Sequence, residues 1–415
     1  MPKFATEQIN RTKIGEAMNK RSKLLVPGLI FALGSTSILL TVASCRQQEE
    51  ASPCCEPKPC CVPTCCPEIV EDCCAVNVCP PTCMVTPNAS PRVRDGIDLF
   101  VTADFIYWNV REANLEYALS AVDQTAIGAS FAGTLNPGNI YAPRNKWEPG
   151  FKVGLGYNFC HDGWDIYGEY TWLNTNISNS TPVFSSSGNP GLYDAYWFIN
   201  TPLNPDTQGF EGGVAIGMLS SASAKWHMNF DVVDLELGRS FYTSPRLTLR
   251  PHFGLKGTWQ KQTMNVDFFD LLGNNTSTHN GMKNWGIGVR GGLDTAWHFT
   301  REFSLIGDFS LTGLWEKLKV KRKDNTFTLG AAIPNISYVN ISNNYSTVEP
   351  ILEWMLGLRY EFWTCGDDFH FAFDAAWEVQ NWFEQNQFIR MPGCVVTNSG
   401  NLTLQGLTAK VRFDF

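Results

Sequence analysis

The chain has 415 residues, enough for two soluble domains, yet only 17% are charged while 13% are aromatic, and it contains 35 Gly and 14 Trp. That balance fits strands bordered by aromatic girdles better than a soluble enzyme, and with a net charge of −8 no nucleic-acid partner is expected. After residue 45 there is no run of about 20 apolar residues, so the mature chain cannot cross a membrane as helices; any span has to be a closed barrel, because unpaired backbone groups are too costly in lipid.

At the amino terminus, Lys20, Arg21 and Lys23 precede an apolar stretch from Leu24 to Val42, the charge and length order of a secretory signal, which makes Met18 a candidate start. Ala43 and Ser44 suit a signal-peptidase site. Val42 to Cys45 also resembles the lipobox of bacterial lipoproteins, in which Cys45 is acylated. An uncleaved anchor is the third reading, weakened by Pro27, Gly28 and Gly34. Residues 1–44 are assigned to the signal segment.

Residues 45–92 form a Cys/Pro-rich arm, expected to be disordered and periplasmic. Ten cysteines (Cys54, Cys55, Cys60, Cys61, Cys65, Cys66, Cys73, Cys74, Cys79 and Cys83) are interleaved with prolines that admit neither helix nor sheet. Behind an export signal, such a set reads as a disulfide framework. Adjacent cysteines are strained as vicinal bridges, so neighbouring thiols suit different partners: other copies of the chain, or other Cys-rich envelope proteins. A small intramolecular knot is the competing reading. The paired CxxC spacing of a zinc site is absent, and no metal is assigned.

From Ile97 onward a period-two pattern recurs. The segments run through Ile97–Tyr107, Phe151–Asn158, Trp164–Trp172, Lys225–Leu237, Arg246–Trp259, Trp285–Trp297, Phe303–Trp315, Leu352–Phe362 and Phe369–Glu378. Within the fourth, the apolar phase slips at Val233, which predicts a bulge or a boundary. The chain ends on a tenth segment, with Leu407, Ala409, Val411, Phe413 and Phe415 on one face and Thr408, Lys410, Arg412 and Asp414 on the other. A strand with lipid on one side and water on the other is the unit of an outer-membrane barrel, and a terminal Phe after alternate apolar residues resembles the signal read by barrel-assembly machinery. Each segment has about the 9 to 11 residues that a membrane strand needs. Charges sit mid-strand on the polar face, and tryptophans mark strand ends.

Short links are expected at Cys160–Gly163, Tyr242–Pro245 and Cys365–Asp368. Long, outward loops are expected at Glu112–Trp147, Asn174–Ser223, Met264–Lys283 and Lys317–Glu349, with Met264–Leu271 and Phe327–Val339 as further strands or as loops folded into the lumen. The expectation is therefore all-β: an antiparallel transmembrane barrel over residues 93–415 with about 12 strands, 10 to 16 being compatible with the pattern.

Several pieces carry a family resemblance: Trp147 to Gly156, His161 to Trp164, Asp234 to Arg239, Leu249 to Pro251 with Gly254, Trp285 to Gly288 with Gly292 to Asp294, and Gln405 to Phe415. In order and spacing they resemble the Legionella-type major outer-membrane protein family, which also occurs in Chlamydia-like bacteria, over residues 97–415. The resemblance implies an abundant pore-forming outer-membrane barrel. The Cys-rich arm departs from the Legionella members and is similar instead to the disulfide-linked envelopes of chlamydiae.

No enzyme is expected. Gly286, Gly288 and Gly291 match GxGxxG but lie inside an alternating strand with no helix after them. The histidines show no metal-ligand spacing, and a meeting of His227, His252 and Asp294 has no support in their spacing. Lys317, Lys319, Lys321, Arg322 and Lys323 read as an interface anchor or a contact to anionic head groups, against a solvated loop. What remains is the lumen. Lys152, Asp165, Glu169, Glu236, Arg250, His252, Lys256, Arg290, Asp294, Glu353, Arg359, Glu361, Asp374, Lys410 and Arg412 are the predicted pore-lining residues, and opposed charges across a pore set a field and a size limit. The expected function is a diffusion porin for small hydrophilic solutes, without a cofactor. Its expected partners are outer-membrane lipid and lipopolysaccharide, the assembly machinery, and disulfide-linked envelope proteins. The alternative is a structural or adhesive barrel whose lumen is plugged.

Overall fold

The computed structural model describes residues 87–94, 96–120, 139–159, 162–183, 192–194, 219–270, 274–327, 335–364, 366–389 and 399–415. The signal segment, Cys45 and all ten arm cysteines lie outside the described residues, as do Cys160, Cys365 and Cys394.

The elements in chain order are β1 (Leu99–Glu112), β2 (Ala118–Ser120), β3 (Ile140–Tyr141), β4 (Lys146–Asn158), β5 (Trp164–Ser180), β6 (Leu192–Asp194), β7 (Leu219–Arg239), β8 (Phe241–Ser244), β9 (Leu247–Asp270), β10 (Asn275–His298), β11 (Phe303–Phe327), β12 (Asn335–Thr364), β13 (Phe369–Asn386) and β14 (Gly400–Asp414). All pairings are antiparallel. The order β7-β5-β4-β1-β14-β13-β12-β11-β10-β9 closes on itself because β9 also pairs with β7, so ten strands form a barrel. The short β2, β3 and β6 extend it beside β7, and β8 lies outside the ring on β9. Ten is the lower bound of the expected range, and the ten strands are the ten periodic segments of the sequence. The seam is made by the two ends of the barrel sequence: β1 pairs with β14 from Phe100↔Asp414 to Glu112↔Leu402, and Leu99 and Phe415 exchange backbone bonds of 3.3 and 3.0 Å.

The alternation sets the two faces. Phe105, Tyr107, Phe151, Val153, Leu155, Leu255, Ile287, Val289, Leu311, Leu356, Leu358 and Val411 are large, apolar and exposed, while their sequence neighbours turn inward and are buried or half-buried. A soluble protein would not expose such a belt; a membrane barrel must. Aromatic side chains border it. At one edge Trp285 packs edge-on to Trp315 with centroids 5.6 Å apart, and Trp147 lies between Tyr107 and Trp377. At the other, Phe413 stacks on Phe369 and Phe415, and Trp297 packs on Phe299. About 12 residues separate Trp285 from Trp297; at about 3.3 Å per residue and a tilt of about 40°, that spans about 30 Å, the thickness of a hydrocarbon core.

The two ends of the barrel differ. Connections at the end holding Leu99 and Phe415 are tight. The β4–β5 link reaches the left-handed region at Asp162 (φ 61°) and Gly163 (φ 73°), where Asp and Gly are tolerated. Residues 87–94 run along this end as a strap: Tyr242 N–H donates to Pro87 O at 2.8 Å, and Arg94 N–H donates to Asp367 O at 2.9 Å. The opposite end carries the wider connections, 113–145 and 181–218.

Three expectations are corrected. The strands are longer than 9 to 11 residues, from 13 in β4 to 30 in β12, because pairing continues past the lipid belt with polar outward faces. For the same reason Met264–Lys283 and Lys317–Glu349 are not long loops: most of both belongs to β9, β10, β11 and β12. The lysine run likewise lies within β11 rather than beside a strand end. Finally, the slip at Val233 is neither bulge nor boundary. β7 pairs in unbroken register with β5 and, from Ser221 on, with β9, and Trp226, Met228, Phe230, Val232, Asp234 and Glu236 all point inward and are buried. The chemistry of the interior changes there, while the geometry does not.

Candidate functional site: the lumen of the barrel

Every residue predicted to line a pore faces the interior, and nearly all are tied to an opposite charge. Arg250 is the centre of one group. Its guanidinium donates to Asp165 at 2.6 Å and to Asp294 at 2.7 Å, and reaches Glu236 at 3.3 Å. Arg290 contacts Glu353 at 2.6 Å, Asp234 at 3.2 Å and Glu236 at 3.2 Å. Lys256, with only 1% of its side chain exposed, donates to Asp234 at 2.8 Å and Glu353 at 3.1 Å. Cations on β9 and β10 thus bridge carboxylates on β5, β7, β10 and β12 across the lumen.

A second group lies on the opposite wall. Lys152 donates to Glu378 at 2.8 Å and approaches Glu169 at 3.5 Å; Lys410 is 3.5 Å from Glu169 and 3.7 Å from Asp104. The Tyr167 hydroxyl donates to Glu169 at 2.7 Å, and Thr408 donates to Glu378 at 2.8 Å. Nearer the tight-turn end, Arg359 grips Asp374 with two bonds of 2.7 and 2.8 Å. There Asp414 is held by Arg412 at 2.6 Å and by His370 at 2.7 Å, while Glu361 is 3.6 Å from His370. Buried charges persist only when paired in this way.

These side chains surround a cavity of about 360 Å³. It is walled by Asp104, Glu169, Arg290, Asp308, Arg359 and Lys410, among others, and floored at the tight-turn end by Asn88 to Arg92 of the strap. Carboxylates outnumber the cations within it, since Asp104, Asp234, Asp308 and Glu378 join the predicted acids. Alternation already puts Asp104, Asp308 and Glu378 on the polar face of their segments, beside the predicted lining residues. Asp234 follows the apparent slip at Val233, which blurs its assignment to a face.

Toward the other end the interior turns apolar. Trp108 and Trp382 are wholly buried, as are Ile106, Leu173, Phe230, Leu314, Ile351 and Leu402. Phe230 packs edge-on to Trp382 at 5.2 Å. The indole N–H groups are satisfied inside the layer, Trp108 donating to Thr408 at 3.2 Å and Trp382 to Gln380 at 3.2 Å. Lys152 lies 5.3 Å from the Trp108 ring and Lys256 5.8 Å from the Trp382 ring, so the layer rests on the charged groups through cation–π contacts. Above it come buried amides and acids, with Trp226 donating to Gln262 at 3.1 Å and Asn284 to Glu316 at 2.8 Å.

His227 points outward from β7, away from His252 and Asp294, so that suggested meeting does not form. His252 and Asp294 themselves come together with Asp308, their ligand-capable atoms within 4.8 Å of one another. Of the described residues this is the group that could hold a cation, although Arg250 already occupies the second oxygen of Asp294. Gly286 and Gly288 face inward: a Cβ at 288 would lie 2.7 Å from Leu314 Cα, so glycine there permits close approach of β10 to β11 and forms no phosphate loop.

No curated protein matches the chain. Among solved structures, the outer membrane protease OmpT from Escherichia coli is 12% identical, with 79% of this chain and all of that one aligned at a TM-score of 0.34. A Pseudomonas aeruginosa FadL homologue is 11% identical over 76% of this chain and 89% of its own, at 0.27. A major outer membrane protein from Thermus thermophilus is 8% identical over 76% and 98%, at 0.23. Likenesses this distant carry nothing about function. The family model described as Legionella pneumophila major outer membrane protein precursor, by contrast, matches residues 90–415, which take in every strand of the barrel. With a closed barrel and a lipid-facing belt over that same span, the chain belongs to this major outer membrane protein family and is an outer-membrane β-barrel.

Proposed function

We propose that the protein is an outer-membrane barrel with an occluded lumen, which serves the envelope as a structural or adhesive element rather than as an open diffusion pore. The observation that carries this is the layer of Trp108, Phe230 and Trp382, wholly buried inside the ring. Eight strands enclose a space just filled by side chains, and ten strands that turn three aromatic rings inward leave no continuous water path at that level. The neighbouring charges are bonded to one another rather than held open to solvent. The arm joins the barrel through the strap at the tight-turn end, which is the periplasmic end in barrels of this class. Its paired cysteines then link the barrel to other copies or to other Cys-rich envelope proteins. No catalytic role is assigned.

The test is a planar-bilayer recording of full-length protein whose folding and insertion are verified independently. Silence is the expected result, and discrete conductance steps would overturn occlusion. A second reading, diffusion of small hydrophilic solutes, is favoured by the charged cavity of about 360 Å³. It requires the aromatic layer to move aside, and the same recording decides between the two.

A further inference from the structure

The outer face of β9, β10 and β11 carries a feature that neither the lumen nor the lipid belt explains. Trp259 and Trp285 are cross-strand partners in the aromatic border, with Trp315 packed on Trp285. One step further from the tight-turn end, Lys283 sits directly opposite Lys261 on one side and Lys319 on the other. All three side chains are exposed on the outward face. Lys317, Lys321 and Lys323 flank Lys319 along β11, also outward. Among the described residues none of these six lysines forms an ion pair. The facing positions on β12 are Ser342, Asn344 and Ser346, exposed and uncharged.

Like charges placed directly opposite one another on a sheet destabilise it, so a row of three lysines calls for anionic compensation from outside the chain. Its level selects the source. The row lies just beyond the tryptophans, where head groups begin, and at the end of the barrel opposite the tight turns. With the tight turns periplasmic, that level is the outer leaflet. We propose that this face is a binding site for the phosphate groups of a phosphorylated outer-leaflet glycolipid. The lysine row pairs with the phosphates, Ser342, Asn344 and Ser346 donate hydrogen bonds to the sugar, and the tryptophans border the acyl chains. Arg322 is not part of the site, because it points into the barrel and is bonded to Asp324 at 2.8 Å. The proposal is independent of whether the lumen is open or occluded.

The experiment is retention of bisphosphorylated lipid A by the full-length protein, refolded in detergent micelles, checked for heat-modifiable mobility and read by native mass spectrometry. Because lysines near a membrane surface attract anionic head groups, the K261Q/K283Q/K319Q variant is expected to retain at least about 10-fold less lipid A than the unaltered chain. The corresponding arginine variant is expected to retain it as the unaltered chain does. Dephosphorylated lipid A should show no preference for the unaltered chain over the glutamine variant, and inorganic phosphate at equal phosphate concentration should not displace the lipid. Equal retention of lipid A by the glutamine variant would overturn the proposal, as would equal binding of the dephosphorylated lipid or displacement by inorganic phosphate. Should the triple variant not fold, K319Q and K283Q are read singly, and undiminished retention by both would count against the site.

Discussion

Lys256 lies beneath Trp382, its ammonium 5.8 Å from the ring centroid, while the same nitrogen is bonded to Asp234 and Glu353. This pair marks the level at which the interior passes from paired charges to packed rings. The proposed occlusion of the lumen rests on that boundary.

Removing the ring tests it. Trp382→Ala deletes a wholly buried indole and its contact with Phe230, at an expected cost of about 3 to 5 kcal/mol. The variant should unfold at lower urea than the unaltered chain, and in bilayers it should show conductance steps that the parent lacks. If both chains conduct alike, the aromatic layer is not the barrier.

Arg250→Ala leaves Asp165 and Asp294 facing the lumen without their shared cation. Breaking a buried pair from one side costs on the order of 3 kcal/mol, even though the whole pair contributes less. Loss of that order in a denaturant titration is expected. Asp165→Asn combined with Arg250→Ala should lose less than the sum of the single changes, a coupling that a double-mutant cycle measures directly.

At the seam, deletion of Phe415 removes the two backbone bonds to Leu99 and the stacking on Phe413. Two bonds at about 1 kcal/mol each are modest for stability. A larger fall in the folded, heat-modifiable fraction made in cells than in refolding yield in vitro would locate the main role of this residue in assembly. Parallel falls in both would make it structural only.

Cross-linking through the arm predicts bands above the monomer on non-reducing gels of whole envelopes, collapsing to monomer with reductant. A chain lacking residues 54–83 should run as monomer in both lanes. An unchanged monomer band from the full chain without reductant would leave an intramolecular knot as the arrangement.

Much of the fold was legible before the structure. The ten periodic segments are the ten barrel strands, the outward belt follows from Leu407, Val411 and their counterparts, and the predicted charges face inward, because alternation assigns side chains to faces whatever lies beyond them. Strand length was legible only in part. Past the membrane the outward positions of β11 become Lys317, Lys319, Lys321 and Lys323, so the contrast between faces reverses and reads as a loop.

Residue order alone therefore determined that this chain alternates through ten segments and carries charges on the face away from lipid. Only the closed ring decided what those charges meet and which side chains fill the interior. Trp108, Phe230 and Trp382 belong to β1, β7 and β13, far apart in sequence, and an apolar side chain satisfies the same pattern against lipid or inside a packed core. Val233 shows why. It faces outward and Val232 inward, both apolar, so the sequence blurs the two faces at the very level where the interior changes from rings to charges.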